Sequence, residues 1–272
     1  MAELTRKEVI LLLAGGQPNC GARLAGVDLS GLDLQRLNFE NADLRGANLT
    51  KCNLNKAWLG GANCSRASFA GANLNEAHAS ATIFNECDLN DANMSYGHWR
   101  EASFVEAQLI GVTLKSADLS EAKFIRADLS SADLSYAQFT GARMHKAHLG
   151  GADLIDTILQ KADLSESNLD LANCARADFS HAHFQRASLI ETNLAWAKLR
   201  ECNLSDSLLM RADLSNSDFT RAILRASNLT GVILRDTNFT AATLRDAKIM
   251  LDESIYPYII LSGTTLPDGK EM

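Results

Sequence analysis

The sequence predicts an all-β solenoid built from short extended pieces, and three observations carry that prediction. All ten phenylalanines of the 272 residues, from Phe39 to Phe239, lie five residues or a multiple of five apart. Counting in fives from Leu24 to Ile249 gives 46 centre positions, and all but Cys64, Ala79, Trp99 and Cys174 hold Leu, Phe, Met or Ile. Two residues before each centre the chain usually places a small residue, as at Ala42, Ala47, Cys52 and Ala57.

A period of five excludes both regular alternatives. In an α-helix five residues advance about 500°, so successive centres drift around the axis and form no stripe. In a flat strand, side chains alternate faces, and a step of five throws each centre onto the opposite face. A corner after each short extended piece resets the face and leaves the centre and the small residue before it pointing inward. The outward position before the centre is rich in Asp and Asn (Asp28, Asp33, Asn38, Asp43, Asn48), whose side chains hydrogen-bond nearby backbone and favour turns. Only three prolines occur, Pro18, Pro257 and Pro267, all outside the array, as expected if coils bond to one another through their backbone N–H groups.

The A(D/N)LXX pattern, verbatim in Ala42-Asp43-Leu44-Arg45-Gly46 and Ala162-Asp163-Leu164-Ser165-Glu166, resembles the pentapeptide-repeat family. The match runs from about residue 22 to 249 without a slip of frame. The resemblance implies a right-handed quadrilateral β-helix with four pentads per coil. The array then has about 11 to 12 coils, and at about 4.8 Å per coil a length on the order of 55 Å.

Three segments follow from this reading. Residues 1–21 form a lead-in with a short α-helical cap over Leu4 to Ala14, where Thr5 is the N-cap, Glu8 completes a capping box and Gly15-Gly16 ends the helix. Its apolar run, Val9 to Ala14, is shorter than a secretory h-region and lacks a clear cleavage site. Residues 22–249 are a single β-helix domain. Residues 250–272 form a C-terminal cap or tail, in which Tyr256-Pro257-Tyr258-Ile259-Ile260-Leu261 is apolar and off-period. This segment either seals the last coil, whose open end needs covering, or serves an end-to-end dimer.

Positions twenty residues apart stack if a coil holds four pentads. Trp99, the one oversized centre, then lies beside Ala79, the smallest, and Gly97 relieves it two residues earlier. Arg66, Glu86, Glu106, Arg126, Lys146, Glu166, Arg186 and Asp206 form a charge column that supports register. Trp58, His78, His98 and Asp118 form an outward column with Tyr96 beside it. These aromatics are either incidental surface rings or a ridge on which a partner docks, since Trp and Tyr concentrate in interface hot spots. His78 and His98 supply only half of a usual tetrahedral metal set.

No phosphate loop, zinc-ligand spacing or nucleophile elbow occurs, and a filled prism offers no water-excluding pocket. We therefore expect no catalytic residue, metal or cofactor. Cys52, Cys87 and Cys202 fall on small inward positions and Cys64 and Cys174 on centres, as reduced core residues of a cytoplasmic chain. Cys20 is off that pattern, free or bridged. No stretch is long enough to span a membrane. The net charge of −7 and pI near 5.4 argue against nucleic-acid binding through phosphate neutralisation.

Two functions remain. The leading one is a rigid, non-enzymatic protein–protein interaction scaffold, monomeric or an end-to-end dimer, with an unidentified protein partner on Trp58, His78, Tyr96 and His98. The alternative comes from the resemblance: some pentapeptide-repeat proteins mimic duplex DNA with acidic rows and so regulate DNA gyrase, a type II topoisomerase. The stretch from Asp153 to Asp218 holds eleven acids against six bases. The layout, with its ending Thr265-Leu266-Pro267-Asp268-Gly269, resembles cyanobacterial members of the family.

Overall fold

The structure is a computed structural model that describes residues 20–251 and 258–272. The helix expected over Leu4 to Ala14 lies outside the described residues, as do Pro18, Tyr256 and Pro257. Compactness divides the chain into two units, Met1–Asp133 and Leu134–Met272.

One pentad shows why the sequence takes this form. In Asn53–Ala57 each backbone N–H has its own destination. Asn53 N donates to Leu32 O of the preceding coil (3.0 Å), while Leu54 N and Lys56 N donate to Asn73 O (2.7 Å) and Asn75 O (2.9 Å) of the next. Ala57 N closes a four-residue turn onto Leu54 O at 2.9 Å. The fifth, Asn55 N, donates to the Asn53 side-chain Oδ1 at 3.3 Å. The Asp or Asn before the centre thus supplies the one acceptor that the stacked backbone lacks.

The corner needs a positive φ at its third residue, and here it falls on ordinary side chains: Lys56 at 57°, Arg66 at 61°, Tyr96 at 57°. A left-handed conformation costs a non-glycine residue roughly 1–2 kcal/mol. The N–H of the same residue joins the inter-coil ladder, so the neighbouring coil holds the strained corner in place.

In the first unit, parallel bridges at an offset of twenty run from Arg23↔Asp43 to Thr113↔Asp133, and in the second from Gln138↔Ile158 to Asn228↔Lys248. Twenty residues is four pentads per turn, the quadrilateral β-helix that the repeat implies. The pairing extends beyond single bridges at β1 (Thr237–Asn238) and β2 (Ile259–Ile260), which run parallel.

The segment read as off-period regains the period in a shifted frame. Ile259 and Leu261 are buried, Thr237 pairs with Ile259 and Thr243 with Thr265, at an offset of twenty-two. Thr264 Oγ1 donates to Phe239 O. The last residues turn back: Thr265 pairs antiparallel with Glu271, and Met272 N donates to Thr264 O at 3.0 Å. Pro267 takes a corner place whose N–H the ladder does not use, while its carbonyl accepts from Asp246 N.

The core is filled by the centres. Phe84, Phe104 and Phe124 stack at centroid spacings of 5.2 and 4.7 Å in the first unit, and Phe219 on Phe239 at 5.2 Å in the second. Each fully buried Phe or Leu is worth about 1.5–3 kcal/mol relative to exposure. Inward Thr and Cys residues hand their protons to centre carbonyls one coil back, as Thr82 Oγ1 does to Leu59 O and Cys52 Sγ to Leu29 O, while inward serines such as Ser167 and Ser207 donate to the centre carbonyl three residues earlier. Trp99 is wholly buried, edge-on to Phe84, with Nε1 donating to Met94 O at 3.1 Å.

The charge column closes in part. Arg66–Glu86 and Arg126–Glu106 pair in the first unit and Lys146–Glu166 in the second. Arg186 forms no ion pair with Glu166 or Asp206, although both carry the opposite charge.

Candidate functional site

One face of the first unit departs from the repeat. Along its middle column Asn38, Trp58, His78, His98 and Asp118 are bridged rung to rung. At the two ends the usual chemistry holds: Glu40 N donates to Asn38 Oδ1 at 2.8 Å, and Ser120 N to Asp118 Oδ1 at 3.0 Å. On the three rungs between, rings replace the Asp or Asn.

Those rings form a ladder. Trp58 stacks on His78 with centroids 4.2 Å apart, and His78 on His98 at 5.0 Å, each pair 19° from parallel. The inter-coil spacing brings neighbouring outward side chains into contact distance, and flat side chains convert that spacing into stacking. Burial and the neighbouring His98 hold the His78 imidazole below the usual histidine range, with Glu76 acting the other way. In the middle of the ladder the neutral ring is therefore favoured.

A groove of about 670 Å³ runs along one side of the ladder, lined by Arg36, Lys56, Trp58, Glu76, His78, Tyr96 and His98. All four residues singled out in the sequence meet there. Tyr96 stands at a corner with φ of 57° and is 53% exposed; Trp58 is 45% exposed. Sequence reasoning missed Arg36, Lys56 and Glu76, which share the Tyr96 column at twenty-residue steps; the same arithmetic finds them. Lys56 and Glu76 pair at 3.2 Å. On the other side lies a smaller hollow of about 310 Å³, bordered by Glu40, Gly60, Ser80, Arg100 and Asp118.

The remaining histidines lie elsewhere. His145 Nδ1 meets Ser165 Oγ at 2.9 Å, and His181 Nδ1 meets Glu201 at 3.3 Å. Among the described residues no three His, Cys, Asp or Glu side chains are grouped to hold a metal, and no helix is long and apolar enough to cross a membrane. Five cysteines are buried and free and Cys20 is free and exposed. Burial pushes the Cys87 and Cys202 thiols up to about 12.

The family model for pentapeptide repeats in eight copies matches ten overlapping stretches that together span residues 22–246. The chain belongs to the pentapeptide-repeat family. Solved pentapeptide-repeat structures resemble it. HetL, involved in heterocyst differentiation regulation in the cyanobacterium Nostoc sp. strain PCC 7120, shares 27% identity over the whole of both chains, with a TM-score of 0.27. QnrB1, a plasmid-mediated fluoroquinolone resistance protein, shares 18% over 76% of this chain and 88% of its own, with a TM-score of 0.45. A protein of the Arabidopsis thaliana thylakoid lumen shares 28% over 38% of this chain and 65% of its own, with a TM-score of 0.22. No curated protein matches the chain. Family membership gives this pentapeptide-repeat protein its repeat and its coil.

Proposed function

We propose that this pentapeptide-repeat protein is a rigid, non-catalytic scaffold whose protein partner docks on the face carrying Trp58, His78, Tyr96 and His98. The ring ladder carries the reading. About half of these outward positions hold an Asp or Asn that satisfies its own backbone, and three consecutive rungs of this column give the place instead to rings that contribute nothing to those hydrogen bonds. Exposed Trp and Tyr beside a groove are the composition of interface hot spots. The filled core favours a surface role over catalysis, which generally needs a concave pocket. We read residues 22–249 as one array, since the frame does not change across Asp133 and Leu134, residues 258–272 as its terminal cover, and the chain as a monomer. The buried, reduced thiols favour a cytoplasmic setting.

The DNA-mimic reading has less behind it. A mimic needs an unbroken acidic field, and between Asp153 and Asp218 the acids Asp156, Glu166, Asp178, Glu191, Glu201 and Asp218 are each paired with a base. Unchanged gyrase supercoiling at large molar excess of the protein removes that reading altogether.

The test is an affinity pull-down from lysate of the source organism, comparing wild type with a Trp58→Ser/His98→Ala double variant and read by mass spectrometry. The scaffold reading expects a protein captured by wild type and lost in the variant. Capture that survives the double substitution moves the site off this face.

A further inference from the structure

The hydrogen bonds of the same face bear on what a partner docked there would present. Where a ring stands in place of Asp or Asn, the N–H two residues on loses its acceptor. Elsewhere in the array a stacked residue sometimes makes good the loss: Asn85 Oδ1 accepts from Val105 N at 3.1 Å, Asn90 Oδ1 from Ile110 N at 2.8 Å, and Asp170 Oδ1 from Ile190 N at 2.9 Å. Beside the ladder nothing does so. Gly60 N, Ser80 N and Arg100 N, on three successive coils, have no acceptor among the described residues. All three residues line the smaller hollow.

Resting on the docking face described above, we propose that these amides receive a carboxylate from an acidic side chain of the partner. The protein itself shows the geometry, because Asn38 and Asp118 place a side-chain oxygen on the equivalent N–H at either end of the column. A partner carboxylate supplies the same oxygen from outside. Ser80 is the middle rung, one coil from either neighbour, and it is furthest from the acids that border the hollow. Arg100 lies alongside and is held only by a 3.6 Å contact to Glu101, with both side chains mostly exposed, so its guanidinium is free to turn to a stronger partner. Of the bordering acids, Asp118 already accepts from Ser120 N and Oγ, and Glu40 accepts from Asn38 Nδ2. Charge-assisted bonds to backbone N–H are among the stronger ones available at a surface.

The test uses the full chain, labelled with ¹⁵N, and two uncharged-ended tripeptides, acetyl-Trp-Glu-Trp-amide and acetyl-Trp-Gln-Trp-amide. The Glu peptide is expected to shift the amide resonances of Ser80 and its neighbours Gly60 and Arg100, and to bind about tenfold more tightly than the Gln peptide. Two variants separate the rings from the amides. His78→Ala removes a ring and leaves Ser80 N open, whereas His78→Asn removes the same ring and fills the acceptor position from within. The expected result is that His78→Asn weakens the Glu peptide well beyond His78→Ala. The proposal is overturned if the two variants weaken it equally, if the two peptides bind alike, or if these amides do not move at about 10 mM peptide. A ring-dependent pull-down alongside such a failure leaves the scaffold standing without its acidic ligand.

Discussion

Gly97→Ala restores the residue that the repeat prefers and is nevertheless expected to destabilise the protein. A Cβ at position 97 stands 2.5 Å from Trp99 Nε1, 2.7 Å from its Cε2 and 2.9 Å from its Cζ2. The indole has little room to yield: it is fully buried, packs on Phe84 and Phe104, and donates Nε1–H to Met94 O at 3.1 Å. Overpacking of this kind costs about 1–3 kcal/mol, and turning the ring away breaks a bond worth about 1 kcal/mol more. For a chain of this size the sum lowers Tm by on the order of 10 °C. Thermal unfolding followed by circular dichroism reads the effect, and a double-mutant cycle with Trp99→Leu isolates the cause. With leucine at the centre the alanine meets its ordinary neighbour, so Gly97→Ala is expected to be neutral there, a coupling of about 2–4 kcal/mol. If Gly97→Ala unfolds at or above the wild-type temperature, the account of the oversized centre is wrong. The result also bears on function, because Gly97 and Trp99 flank His98 and their packing aims the last ring of the ladder.

Other outcomes follow from the same structure. Asp128→Ala removes the acceptor for Ser130 N and Oγ and is expected to cost about 1 kcal/mol in denaturant unfolding, whereas Arg176→Ala, which breaks an exposed pair with Asp156, costs no more than about 1 kcal/mol and less in high salt. At pH 8 a thiol reagent is expected to modify Cys20 rapidly and the five buried cysteines only after unfolding, since packing denies access to all five and burial also raises the thiols of Cys64, Cys87, Cys174 and Cys202; a second fast thiol in the native protein contradicts the packing. Hydrogen bonds from Arg45 and Arg176 hold the carboxyls of Asp43 and Asp156 below the ordinary aspartate value. Their folded pKa values are depressed, so the stability they add is present above about pH 4 and is lost as pH falls through the lowered values. Acid titration of Asp156→Asn is expected to show a shallower loss below pH 4 than wild type.

The architecture was readable because the repeat imposes a separate requirement at each place. Leu54 and Ala57 report the inward positions by size, and Asn53 reports the missing acceptor. Stacking at twenty residues was readable through exceptions: Ala79 is small where Trp99 is large, and Trp58, His78 and His98 recur at one step. The strained corners were not readable, because residues such as Lys56 and Tyr96 have no intrinsic preference for positive φ and hold it only through bonds to the next coil. Nor was the frame shift before Ile259, because two residues added to the twenty-residue step leave no periodic signal of their own. Arg36, Lys56 and Glu76 escaped notice because charged side chains are ordinary at corners, and only the rings beside them make them a groove.

A repeat of this kind constrains its inward residues for packing and its acceptor residue for hydrogen bonding, and leaves the rest of the outward surface to vary at little cost to stability. Information about binding therefore resides where the chain gives up something that the fold would use. An exposed Leu171 or Trp196, each alone on its corner, gives up nothing, because corner side chains accept no structural bond. Trp58, His78 and His98 each forgo an acceptor, on three adjacent rungs, and Glu40 and Ser120 at either end retain theirs. Rings at this position open those amides because they supply no acceptor, and here the openings fall on three adjacent rungs. A surface that recognises both a flat apolar group and an oxygen acceptor needs both features together, which is why the missing bonds, more than the exposed area, single out this face.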